Sequence, residues 1–161
     1  MPRPPNYHYC LLGAIGWDHA AWVDTFYPDD LPLEWRLNYY NTAFECVYLP
    51  YAQWRTTPAE TMVAWRQDTL EHFRFLLEAP PTPPTSGSAD AALIAALGEK
   101  AIVAHPGQAL TLVWLEPGAN LRPLAQTLQT LESAAPIYLI STSGDLAQLE
   151  QTRTLLEILG Y

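Results

Sequence analysis

Five times along this chain a short unbroken apolar run is followed by a segment with helical spacing. That alternation constrains the fold more than any other feature of the sequence. The first run, "YCLLGAIG" from Tyr9 to Gly16, ends at glycine and fits a strand buried on both faces. Leu33, Leu37, Tyr40 and Phe44 then recur at spacings of four, three and four, which predicts an amphipathic helix over "LEWRLNYYNTAF". "ECVYLP" reads as the second strand. "TPAE" at Thr57 to Glu60 predicts a capping box, with Pro58 in the first helical position, opening a helix through about Gln67.

The pattern continues with "HFRFLLEAP" as a third strand. A proline-rich loop over residues 79–90 follows, where Pro80, Pro81, Pro83 and Pro84 exclude either regular structure. Ser88 and Asp90 are placed to cap a short helix over "AALIAALG", while "EKAIVAHPGQ" carries no pattern that assigns it. "ALTLVWL" is the fourth predicted strand. Leu121, Leu124, Leu128 and Leu131 mark the next helix, "PIYLI" is the fifth strand, and "DLAQLEQTRTLLEILG" is the last helix, ending at Gly160. Strands joined by helices form a parallel sheet with right-handed crossovers. Two architectures satisfy this, an open doubly wound sheet or part of a β/α barrel, and no G-x-G-x-x-G or phosphate-binding loop chooses between them.

At 161 residues the chain is expected to form one domain, residues 1–161. Its formal net charge of −9, with eight Lys plus Arg and Lys100 the sole lysine, opposes binding to nucleic acid or to an anionic membrane surface. Cys10 and Cys46 lie in apolar runs without metal-ligand spacing, so no metal, cofactor or disulfide framework is expected. "MPRPPNYHYC" lacks the apolar core of a signal peptide, and no run is long enough to cross a bilayer, so a cytoplasmic location is expected.

Gly16, Trp17, Trp22, Phe26, Tyr27 and Pro28, followed by a helix bearing Tyr39 and Tyr40, resemble the opening of the YecE-like family, a family of unknown function. "FRFLLEAP" at Phe73 to Pro80 and "LVWLEP" at Leu112 to Pro117 are similar to its third and fourth strands. The resemblance implies a TIM-type barrel with reactive groups at the carboxyl ends of the strands. The chain departs from the family in having Val47, Tyr48, Leu49 and Pro50 where a Val-Glu-x-Asn pattern is usual. It also has Glu78 in place of a lysine, and Trp114, Leu115 and Glu116 where a glutamine precedes Leu-Pro. A full eight-unit barrel needs at least about 200 residues, so this chain predicts an incomplete TIM-type barrel of about five strand-helix repeats, covered by a second copy in a homodimer.

The candidate catalytic groups are Asp18 and His19 after the first strand, and Glu78 and Glu116 after the third and fourth. Paired carboxylates can perform acid-base work or hold a cation, provided they converge. Trp17, Trp22, Tyr27, Tyr51 and Trp54 are expected to gather near the ends of the first two strands, as a stacking platform for a ligand or as a packed aromatic layer. Ser141, Thr142 and Ser143, with Gly144 and Asp145, either bind an anion or cap the last helix. Two functions follow. One is a non-catalytic interaction or scaffold protein acting as a dimer; the other is an enzyme for a small sugar or phosphate-containing ligand, using carboxylates at the strand ends.

Overall fold

The computed structural model describes residues 10–105, 111–118, 120–130 and 136–160. Six strands form one sheet: β1 (Cys10–Ile15), β2 (Cys46–Leu49), β3 (Arg74–Glu78), β4 (Ala101–Ala104), β5 (Thr111–Leu115) and β6 (Ile137–Ser141). All pairings are parallel, in the order β4-β3-β2-β1-β6-β5. The helices are α1 (Arg36–Ala43), α2 (Tyr51–Trp54), α3 (Ala59–Asp68), α4 (Ala89–Leu97), α5 (Leu121–Thr130) and α6 (Leu146–Leu159). The sheet curls into a half-barrel with helices joining all successive strands but β4 and β5, among the described residues; it has the parallel strands that the alternating pattern implied and the incomplete barrel that the family resemblance implied.

Strand and helix chemistry explain most of the boundaries. Gly16 ends β1 at φ 67°, a conformation that glycine adopts without strain. Ser88 caps α4 by accepting the Ala91 N–H, and Asp145 caps α6 by accepting the Ala147 and Gln148 N–H groups. Gly160 closes α6 in the left-handed region at φ 85°. Two expectations change. The helix after "TPAE" begins at Ala59 with Pro58 as its N-cap, because the Thr57 hydroxyl donates back to the Gln53 carbonyl of the preceding turn and no capping box forms. The unassigned stretch supplies a sixth strand, β4, an edge strand whose four residues are all half-buried. Tyr9 and Leu131, named above at element ends, lie outside the described residues.

Alternate residues of each strand face opposite sides of the sheet. Leu12, Ala14, Val47, Leu49, Phe75, Leu77 and Leu139 point to the helices and form the main core with Tyr40, Trp54, Met62, Leu97 and Leu156. Cys46, Tyr48, Leu76, Tyr138 and Ile140 form a second cluster on the inner face. The sheet has two edges, β4 and β5, and only six residues separate Ala104 from Thr111. A fully extended chain of that length spans at most about 25 Å. The end of β4 and the start of β5 are therefore held near each other, and the half-barrel cannot flatten.

At the amino end of the strands, Arg153 of α6 donates from Nη2 to Glu45 at 2.8 Å and to the Ala43 carbonyl at 2.8 Å. The other Arg153 nitrogen pairs with the second Glu45 oxygen. This fork ties the last helix to the α1–β2 corner and leaves the opposite, carboxyl end as the place for chemistry.

Candidate functional site

Because every strand is parallel, the ends of all six emerge on one rim. His19 leaves β1 and its Nε2–H donates to the Ile15 carbonyl at 2.8 Å, with the ring 4.3 Å from Trp22. Trp22 Nε1–H donates to the Gly144 carbonyl at 2.7 Å. A Cβ at Gly144, where φ is 71°, would stand 2.8 Å from two atoms of the His19 ring. The loop after β1 and the loop after β6 are thereby clamped together. Asp18 forms an ion pair with Arg36, whose guanidinium lies 5.4 Å from the centre of the Tyr27 ring.

The aromatic residues divide among separate packing groups. Trp17 meets Trp65 edge-to-face at 4.7 Å. Trp22 and Tyr27 pack with Phe26, Tyr40 and Phe44, and the Tyr27 hydroxyl donates to the Trp17 carbonyl. Burial pushes the Tyr27 hydroxyl pKa up, so it stays a neutral donor. Trp54 is wholly buried and donates from Nε1 to the Glu78 carbonyl at 3.0 Å, with Tyr51 5.0 Å away edge-on. Trp17, Trp22, Tyr27 and Trp54 all stand in the helix-side core, and Tyr51 reaches a cleft on the rim.

Ser141 is fully buried, accepting the Gly144 N–H and donating to Gln148 Oε1. The start of α6 beside it is filled by the chain's own Asp145 carboxylate, which supplies the negative charge that an anion would bring. Glu116 accepts the Thr142 hydroxyl at 3.1 Å, and its carbonyl accepts Gln148 Nε2–H at 2.6 Å, latching the end of β5 to the β6 turn. Glu78 accepts the Tyr51 N–H at 2.9 Å through Oε1. The two carboxylates lie on strands separated by β2, β1 and β6, and share no hydrogen-bond partner. Among the described residues no group of three His, Cys, Asp or Glu side chains is arranged to hold a metal ion.

One cleft of about 660 Å³ opens on the rim over β2, β3 and β4, lined by Tyr48, Tyr51, Glu78, Pro80, Pro83 and His105 among others. It falls within the size range of small-molecule sites. The Tyr51 hydroxyl donates to Asp90 at 2.9 Å, which fixes one wall, and the bond to that carboxylate raises the Tyr51 pKa. Tyr48, on the inner face, has its pKa raised by burial and by the neighbouring Glu78 charge. Of the candidates read from sequence, the structure brings Glu78 and Tyr51 together here. Tyr48, Asp90 and His105 join them unforeseen. From sequence Tyr48 reads only as a residue of the second strand, and Asp90 only as a helix-capping residue.

Fold and site define a parallel β/α half-barrel with a small-molecule-sized cleft at its strand ends and, among the described residues, no metal cluster. The chain belongs to the family described as "Protein of unknown function DUF72", whose model matches residues 11–139; the YecE-like family is this same family. Among solved structures it is similar to a DUF72 family protein from Thermotoga maritima, with 13% identity, a TM-score of 0.62, and coverage of 93% of this chain and 100% of that one. A DUF72 family protein from Enterococcus faecalis matches at 14% identity and a TM-score of 0.37, with 94% of this chain aligned to 59% of the other. The first likeness extends to the fold. No curated protein sequence matches the chain.

Proposed function

We propose that this protein is a non-catalytic interaction protein that works as a homodimer. The supporting observation is the state of the four candidate catalytic groups. Asp18 pairs with Arg36, His19 bonds the Ile15 carbonyl, Glu78 holds the Tyr51 N–H, and Glu116 holds Thr142. Each is held by a partner of its own and no hydrogen bond joins any two of the four, whereas acid-base chemistry requires groups that converge on one reacting atom. The dimer reading rests on the sheet. Its edges, β4 and β5, are short strands carrying half-buried Ile102, Ala104 and Leu112 and, 40% exposed, Trp114. Edges and apolar faces of this kind are commonly covered in a closed two-fold assembly. Light scattering at micromolar concentration tests it: a dimer mass is expected, and replacement of Trp114 by Glu is expected to shift it to the monomer. A monomer mass for the unaltered chain would overturn the reading.

A second reading keeps the rim cleft as a small-molecule site, favoured by its size and by Glu78 and Tyr51 in its lining. The net charge of −9 supports a role away from nucleic acid. Among the described residues no helix is long and apolar enough to cross a membrane. A cytoplasmic, single-domain protein is the setting we propose for both readings.

A further inference from the structure

The cleft over β2, β3 and β4 has a charge and hydrogen-bond inventory that selects a ligand class. Glu78 uses Oε1 to accept the Tyr51 N–H, and Oε2 has no protein donor among the described residues. Tyr48 is 9% exposed, packs its ring against Trp114 and lines the cleft, and its hydroxyl has no hydrogen-bond partner among the described residues. The Tyr48 hydroxyl is reachable from the cleft and keeps an open acceptor position there. Among the described residues no Lys or Arg lines the cleft, His105 is its one basic side chain, and Asp90 stands behind Tyr51. Phosphate and carboxylate ligands would meet an uncompensated negative charge. A cation would meet the Glu78 carboxylate, a tyrosine hydroxyl as acceptor and two aromatic rings. Arg55 already lies 5.4 Å from the centre of the Tyr51 ring without lining the cleft, so that ring accepts positive charge in this fold. Pro80, Pro81, Pro83, Ala79 and Ala104 supply apolar walls around this polar floor.

We infer that the cleft binds an organic ammonium ion, with its N–H groups on Glu78 Oε2 and the Tyr48 hydroxyl and its alkyl part against the proline wall. The inference goes beyond the interaction role proposed above, and a monomer mass in the light-scattering test leaves it standing. Titration of the full chain with n-butylammonium, followed by amide shifts in 15N-edited NMR, is the test, with n-butanol and inorganic phosphate as the comparison probes. The amides of Tyr51, Ala79 and Ala104 are expected to move together with n-butylammonium and to give at least tenfold tighter binding than n-butanol, with no phosphate binding. Glu78→Gln, which keeps an oxygen for the Tyr51 N–H, is expected to lose at least tenfold in ammonium affinity. Tyr48→Phe is expected to lose about threefold, and the surface change Glu34→Gln nothing. Equal binding of butanol and butylammonium overturns the inference, as does a shift pattern spread over surface acids. Should Glu78→Gln fail to fold, the probe comparison and Tyr48→Phe decide the matter by themselves.

Discussion

Tyr48 on β2 meets Trp114 on β5 edge-to-face, ring centres 5.0 Å apart, although β1 and β6 lie between their strands. In a flat sheet three strand steps would separate them by about 14 Å. The contact therefore records the curl of the half-barrel and also helps to hold it. An edge-to-face pair contributes about 1 kcal/mol beyond the area it buries. Trp114→Ala is expected to lower stability by about 1–2 kcal/mol, and a double-mutant cycle with Tyr48→Leu in urea unfolding should give a coupling near 1 kcal/mol. Strictly additive effects would mean that the curl is set elsewhere.

Lys100, the sole lysine, is 5% exposed and donates all three ammonium hydrogens: to the Arg66 carbonyl at 2.7 Å, the Thr69 carbonyl at 2.8 Å and the Thr69 hydroxyl at 3.0 Å. It caps the carboxyl end of α3, where positive charge is favoured, from the turn that leads into β4. Burial lowers its pKa, and the nearby Glu99 charge opposes that shift. Lys100→Met strands three acceptors and is expected to cost about 2–4 kcal/mol in chemical denaturation. Lys100→Arg keeps the charge and is also expected to destabilise, because a planar fork does not fit three acceptors arranged for an ammonium.

The β1–β2 seam depends on a hydroxyl. Tyr40, fully buried in α1, donates to the Cys46 carbonyl at 2.7 Å and accepts the Ala14 N–H at 2.9 Å, bridging the two strands. Gly13 makes room for this, since a Cβ there would lie 2.0 Å from the Cys46 oxygen and 2.9 Å from the Tyr40 hydroxyl. Tyr40→Phe leaves two buried backbone groups unpaired, for about 2–4 kcal/mol. Gly13→Ala forces the strands apart and is expected to cost more than the tyrosine change, read as a lower urea midpoint or as loss of soluble protein. A Gly13→Ala protein as stable as the parent would show that the seam can widen freely.

The legible parts of this fold were those in which one local signal decides. The apolar runs of β1, β2, β3, β5 and β6 are bounded by glycine, proline or polar residues, and Ser88, Asp145 and Gly160 sit where caps belong. β4 escaped because "AIVA" is four residues long on a half-buried edge, with no alternation to separate it from a loop. The Thr57 box failed because the helix starts two residues on, at Ala59, and the Thr57 hydroxyl bonds instead to the Gln53 carbonyl of the one-turn α2. The site was less legible. Sequence puts Glu78 and Glu116 alike at strand ends, but only the strand order shows three strands between theirs. Tyr48 reads as one more apolar residue until the curl brings it to Trp114 and Glu78.

The two thiols offer a test of burial that needs no partner or ligand. Cys10 has its pKa pushed up to about 12, first by burial and then by the Glu45 charge, and Cys46, fully buried, is raised by the same causes in the same order. The thiolate is the reactive species, so both groups are expected to resist iodoacetamide at pH 8 in the native protein and to react fully once it is unfolded. The same shifts make stability depend on pH. Well below pH 9 the thiols are protonated in the folded and unfolded chain alike, and they add no dependence. Between pH 9 and about 12 the unfolded chain releases these protons while the folded chain keeps them, so stability falls as pH rises. Cys10→Ala and Cys46→Ala should each flatten that alkaline decline relative to the parent. The tyrosines with raised pKa values, Tyr27, Tyr40, Tyr48, Tyr51 and Tyr138, will leave a residual slope starting near pH 10. Rapid alkylation of native Cys46 at pH 8 would mean that the β1–β2 seam opens far more readily than its buried hydrogen bonds imply.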